Sequence, residues 1–240
     1  MGLNDMHRIR RSGERGHANH GWLDSYHSFS FADYYDPAHM NYSVLRVINE
    51  DVVAPGMGFG MHAHRDMEIV TYMISGELRH TDSMGNGSVI RAGDVQRMTA
   101  GTGVRHSEIN ASSDHDVHLL QIWILPNRKD LTPGYEERHF GKDLKENRWC
   151  LIASPDQEGA IHINQDVRIH ASVIDGGKPL RAELGADRCA YLQVVTGQVG
   201  VEGETLYSGD ALMVENQKVI EVITESYSEL ILFDLPMIAE

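Results

Sequence analysis

The stretch "GMHAHRDMEIVTYMISGELRHTDSMGNG", from Gly60 to Gly87, decides how the rest of the chain is read. It consists of short apolar, β-branched runs separated by glycine turns. Such runs form strands, because branched side chains suit a pleated, half-buried surface. His62 and His64 stand two residues apart inside it. On a strand, residues i and i+2 face the same side, so the two imidazoles point together. Glu68 lies four beyond His64 and shares that face if the strand continues.

Similar runs recur along the chain: "YSVLRVI" (42–48), "VHLLQIWIL" (117–125), "AYLQVVTG" (190–197), "KVIEVIT" (218–224) and "ELILFDL" (229–235). Turn clusters separate them, among them "RAGD" (91–94), "TAGTG" (99–103), "DGGKP" (175–179) and "YSGD" (207–210). Short strands at regular spacing with glycine-rich turns predict an all-β sandwich or barrel. No long window carries the 3.6-residue period of an amphipathic helix. The charged, proline-containing stretch "PNRKDLTPGYEERHF" (126–140) lacks alternation and is the expected connection between two halves. The boundaries expected are a domain over 1–130, a linker over 131–144 and a second domain over 145–240. The halves echo each other. "MISGELRH" followed by "IRAGDVQRMTA" (90–100) resembles "VVTGQVGVEGETLYSGDALMV" (194–214), which suggests a duplicated barrel.

Further along, "GTGVRHSEIN" supplies His106 and Glu108, a second i, i+2 pair. An HxH pair alone in a histidine-rich chain is most often two surface imidazoles on an edge strand. Two such pairs in one barrel place three imidazoles and up to two carboxylates on inward faces. That donor set suits Fe, Mn, Ni, Cu or Zn. It contains no cysteine and leaves coordination positions open, unlike a closed structural zinc site. His80, before the "DSMGNG" turn, is expected at the surface. His118, in an apolar strand, is expected to be buried and hydrogen-bonded. His17, His20 and His27 are irregularly spaced and receive no role. Trp22, Phe29 and Phe31 are expected in the core or over the barrel mouth. His162 and His170 have no partnering glutamate, so the second half is expected to lack a metal.

Composition excludes several classes of function. The 240 residues hold 21 Lys+Arg against 35 Asp+Glu, a net charge of -14. Binding to a phosphate backbone or an anionic membrane needs the opposite sign. No apolar run approaches the roughly 20 residues of a membrane span. The start, "MGLNDMHRIRRSGERG", carries no apolar signal segment. Cys150 and Cys189, the only cysteines, form no metal-binding spacing or disulfide framework. The cytoplasm is the expected compartment.

Gly56 through Glu68 resembles the first cupin motif, with glycine, His62, His64 and a glutamate in order. Gly93 to His106 and Asn110 resembles the second. Gly76 comes one residue late, Thr99 replaces a common proline, and two extra residues precede His106. "HAHRDMEIVTYMISGELRHTDSMGNG", "GDVQRMTAGTGVRHSE" and "RGHANHGWLDSYHSFSFADYYDP" look like the pirin family. The resemblance implies a bicupin of two double-stranded β-helix barrels, the first holding one divalent metal. That metal is usually Fe(II), with Mn, Ni, Cu, Co and Zn as alternatives. Matched residue by residue, its ligands are His62, His64, His106 and Glu108, with Glu68 as the general cupin alternative or as a residue orienting an imidazole. Glu108 or Glu68 would take the substrate proton. The implied activity is 2,3-dioxygenation of quercetin or a similar flavonol by O2 with release of carbon monoxide. The alternative implied is a non-enzymatic, metal- or redox-sensing regulator that binds a protein partner.

Overall fold

The computed structural model describes residues 6–177 and 179–238. Almost every element is a strand, as expected of runs that alternate inside and outside positions. The chain forms two compact units. One comprises Gly16–Phe140 and Ile161–Gln165. The other takes the chain up to Arg15, Gly141–Ala160 and everything from Asp166 onward. Each is a cupin-type barrel, in which a larger sheet faces a four-stranded one.

In the first unit the small sheet runs Gly58–His64, Val104–Asn110, Glu77–Asp82, Gly87–Arg91. The large sheet runs Gly134–His139, Asp94–Thr99, Glu68–Ser75, Val117–Ile124, Leu45–Val53, Leu23–His27, Gly16–Asn19. Two apolar clusters close this barrel. One gathers Leu23, Val53, Met73, Leu78, Ile90, Val117 and Leu119. The other gathers Ile69, Met98, Ala100 and Val104. Gly76 turns the chain between Glu68–Ser75 and Glu77–Asp82 at φ 78, where an added Cβ would meet the Val117 backbone. Only glycine takes that conformation at that approach.

In the second unit the small sheet runs Leu180–Glu183, Val219–Ile223, Gln198–Val201, Glu204–Tyr207. Its large sheet places Met6–Arg10, Ala211–Glu215, Arg188–Thr196, Tyr227–Pro236, Arg168–Asp175 and Cys150–Ser154 side by side. One continuous cluster of Leu, Ile, Val and Ala fills this barrel.

Two stretches lie elsewhere than chain order suggests. Residues 134–139, expected to link the halves, form a strand against Asp94–Thr99 with Tyr135 opposite Met98. This is an edge strand, and edges tolerate charge on both faces, which erases the alternation that would have marked it. Met6–Arg10 pairs with Ala211–Glu215, and Ile9 packs against the second unit's core.

Candidate metal centre and its cavity

Strand Gly58–His64 runs antiparallel to Val104–Asn110, with His62 opposite His106 and His64 opposite Val104. The register slips between His106 and Glu108. Such a bulge re-aims side chains beside it. Gly58 lies against the Glu108 backbone at φ 156, and a Cβ there would overlap the Glu108 carbonyl. The glycine lets the two strands close on each other beside the site.

Three imidazoles converge here. Ring centroids are 4.7 Å apart for His62 and His64, 4.4 Å for His62 and His106, and 4.9 Å for His64 and His106. One nitrogen from each lies within 4.8 Å of the others. His62 Nδ1 sits 2.7 Å from the Gly60 carbonyl oxygen. A carbonyl only accepts, so Nδ1 carries the proton and Nε2 presents its lone pair. Both nitrogens of His106 are buried without a hydrogen-bond partner among the described residues. An unpaired buried polar atom is costly, and a cation between the rings would relieve one of them. Burial, then the neighbouring imidazoles, depresses His64 to about 4 and His106 to about 3. Both are neutral near pH 7, as ligation requires.

Glu108 lies beside them, fully enclosed. Its Oε1 accepts from Gln96 Nε2 at 2.7 Å, and its Oε2 from Gln121 Nε2 at 2.8 Å. Thr71 Oγ1 is 3.3 Å from Oε1. Burial pushes this carboxyl up to about 7, against the pull of those donors. Glu108 groups within 4.8 Å of His106 and His80, while His62 and His64 form the other group around His106.

The site opens into a cavity of about 230 Å³. Leu23, Phe31, Phe59, Ile69 and Trp123 form its apolar walls, and Ser25, Asn49, Asp51 and Gln121 its polar floor. Trp123 stands edge-on to His64 at 5.0 Å and to Phe31 at 5.3 Å. A small, mostly apolar cleft with a few convergent polar groups fits a small-molecule ligand.

The Pirin family model matches residues 7–124, and a model described as a quercetinase C-terminal cupin domain matches 151–235. The quercetin 2,3-dioxygenase of Escherichia coli K12 is 46% identical over 228 residues, covering 95% of this chain and 98% of its own. The chain belongs to the pirin family. Among solved structures, Escherichia coli YhhW superimposes with a TM-score of 0.93 at 44% identity, over 98% of this chain and 100% of its own. A second structure of that pirin, in complex with nickel(II), gives 0.92 over 97% and 100%.

Within this pirin, Glu68 lies apart from the imidazoles. The chain breaks at Arg65–Met67, where Asp66 takes φ 50, so strand parity is not carried from His64 to Glu68. Glu68 starts a strand of the large sheet, opposite Thr99 and Ile124. Its Oε2 accepts from the Asn164 backbone N at 3.1 Å and from Asn164 Nδ2 at 3.2 Å. It is not among the residues lining the cavity.

His80 is fully buried, contrary to the surface position expected from its nearness to a turn. It stacks on Tyr135 at 4.6 Å, and its Nε2 lies 3.2 Å from Asp82 Oδ2. Asp82 in turn caps the turn through the backbone N–H groups of Met84 and Asn86. His118 is half-buried and its Nε2 lies 3.0 Å from Glu50 Oε1. Phe29 is core, and Phe31 faces the cavity.

Sequence reasoning missed the row of polar side chains under Glu108. Gln96 is opposite Thr71, Thr71 opposite Gln121, Gln121 opposite Asn49, and Asn49 opposite His27. All are buried, and the row crosses neighbouring strands of the large sheet. The available signal was a lone polar residue in an apolar run, such as Gln121 in "VHLLQIWIL" or Thr71 in "MEIVTYMI". Buried polar groups must be hydrogen-bonded, so such residues imply partners across the sheet.

Proposed function

We propose that this pirin is a metal-dependent dioxygenase that cleaves quercetin or a similar flavonol. The observation that carries this reading is His106. Both its ring nitrogens are buried and unpaired among the described residues, within ligand range of two further imidazoles, at the wall of an apolar cavity. His62, His64, His106 and Glu108 would hold one divalent metal, with Fe(II) the leading choice and Mn, Ni, Cu, Co or Zn compatible with the donors. The structure of the related Escherichia coli pirin in complex with nickel(II) supports a bound metal. Bound there, the metal supplies Lewis-acid polarisation of a substrate hydroxyl and a redox route to dioxygen.

The chain's own residues do the rest. Phe31, Trp123 and Ile69 take the aromatic faces and exclude water. Gln96 and Gln121 hold the Glu108 carboxylate in place. Glu108 lines the cavity while Asn164 holds the Glu68 carboxylate outside it, so Glu108 rather than Glu68 is the base for the flavonol hydroxyl. Both oxygen atoms of O2 enter the opened product, and one ring carbon leaves as carbon monoxide. The substrate is small, and the acidic chain gives neither a nucleic acid nor a membrane a surface to bind. The cytoplasm is the compartment that its two free cysteines suit.

The test is dioxygen consumption by Fe(II)-loaded protein across a panel of flavonols, with product mass and carbon monoxide measured. Consumption with the expected product mass supports the reading. If no flavonol is consumed, the non-enzymatic sensor with a protein partner takes its place.

A further inference from the structure

The cavity has a second polar corner that the chemistry above does not use. On strand Leu45–Val53, Asn49 and Asp51 share a face, two residues apart. Asp51 stands opposite Ser25 on one side and Leu119 on the other. Trp123, which touches His64, lies four residues along the strand from Leu119, about 13 Å at the usual rise. Asp51 therefore sits at the end of the cavity walled by Leu23 and Phe59, away from His64 and within electrostatic reach of Glu108.

Asp51 is buried, and among the described residues its only hydrogen-bond partner is the Ser25 hydroxyl. Asn49 spends its amide oxygen on His27 Nδ1 at 2.8 Å, and its amide nitrogen has no partner among the described residues. The carboxyl and the N–H both line the cavity, so each keeps hydrogen-bonding capacity for a ligand. Burial raises Asp51 to about 6, so it is mostly ionised at pH 7.5 and a strong acceptor there.

We infer that Asp51 and Asn49 form a second anchor that binds a phenolic hydroxyl of the substrate remote from the ring edge facing the imidazoles. Asp51 accepts the hydroxyl proton in a hydrogen bond, and Asn49 Nδ2 donates to the same or the adjacent oxygen. This rests on the dioxygenase reading for the ligand class, but not on turnover.

The experiment compares quercetin with 3-hydroxyflavone, which keeps the reacting hydroxyl and lacks all others. Dissociation constants are measured anaerobically at pH 7.5 by quenching of tryptophan fluorescence, since Trp123 lines the cavity. The wild type should bind quercetin roughly 10-fold more tightly, the usual scale for one buried hydrogen bond to a charged group. Asp51→Leu should remove that preference by weakening quercetin alone. Asp51→Asn, which keeps one acceptor and the shape, should shrink it in the same direction, and it serves if the leucine variant does not fold. Equal wild-type affinities, no binding of either flavonol, or a preference unchanged in the variants would overturn the inference. Dioxygen consumption is measured in parallel. Selective binding without turnover sinks the dioxygenase and leaves the anchor, whereas turnover of both flavonols at equal affinity does the reverse.

Discussion

The two barrels carry the same frame and opposite interiors, and matched strand registers make the comparison residue by residue. Gln96 follows Gly93 by three, as Leu212 follows Gly209. Thr71, opposite Gln96, then corresponds to Leu192, opposite Leu212. Gln121 corresponds to Leu232, and Asn49 to His170. In the small sheets His80 corresponds to Val201, each four after a turn glycine. Glu108 opposite His80 becomes Val222 opposite Val201. His106 then becomes Ile220, and His62 becomes Ala182, opposite Ile220. Leu212, Leu192, Leu232, Val201, Val222, Ile220 and Ala182 all belong to the single apolar cluster of the second barrel. One barrel is a packed core. The other replaces part of that core with a polar row, a cavity and three imidazoles. A filled interior stabilises, at about 1.5–3 kcal/mol per large buried apolar side chain, and the first barrel forgoes some of it for a site.

The largest effect expected from this contrast is in metal content. Elemental analysis of freshly loaded protein should find about one metal per chain, and His106→Ala should lose it almost entirely. His170 in the second barrel should be replaceable by Ala with metal content unchanged. Two metals per chain would break the comparison outright.

Next comes the response to pH of the metal-free protein. Glu108 titrates at about 7 in the fold and near 4.3 in an unfolded chain. The folded state holds that proton more tightly, so its contribution is fully present below about pH 4 and is lost as pH rises through about 7. The loss amounts to about 4 kcal/mol at most. Asp51, raised to about 6, acts in the same direction. His64 and His106, depressed by burial, act in the opposite one below about 6.5. The quantity to measure is therefore the stability difference between wild type and Glu108→Gln, from urea unfolding of chelator-treated protein. It should move against the wild type between pH 5 and 8. A constant difference would mean that Glu108 is not the raised carboxyl.

The paired glutamates sharpen the comparison at the level of single residues. Glu108→Gln should weaken metal affinity about 10–100-fold in a chelator competition. Glu68→Gln should change affinity much less and act on stability, because Asn164 takes its carboxylate. The reverse order would restore the general cupin ligand set.

What was legible in the sequence was local. The i, i+2 pairs His62/His64 and His106/Glu108 needed only strand parity, and the glycine-punctuated echo needed only spacing. Parity puts Glu68 on the imidazole face only if the strand continues through Arg65–Met67, where Asp66 at φ 50 breaks it. His80 reads as a turn residue because it precedes one, although its side chain alternates inward. The row from Gln96 to His27 depends on the registers of five strands distant in sequence, which no local pattern states. Tyr135 was hidden for another reason, since its strand lies on a charged edge.

That edge residue gives the smallest effect and the most specific one. The Tyr135 hydroxyl lies 3.0 Å from Gln96 Oε1, 2.6 Å from Glu137 Oε2 and 2.7 Å from Ser88 Oγ. Gln96 needs its amide nitrogen turned toward Glu108 and Thr71, and an amide can be turned either way unless something holds its oxygen. Tyr135 shares its one proton between that oxygen and the Glu137 carboxylate, and burial followed by Glu137 keeps the phenol protonated. Tyr135→Phe removes one hydroxyl and keeps the stack on His80. A single hydrogen bond of about 0.5–1.5 kcal/mol corresponds to roughly a 2- to 10-fold loss of metal affinity, less than for Glu108→Gln. Because the loss acts through Glu108, Tyr135→Phe in a Glu108→Gln background should cost little more, which a double-mutant cycle measures. Additive losses would mean that Tyr135 supports the barrel edge alone, and the polar row would then end at Gln96.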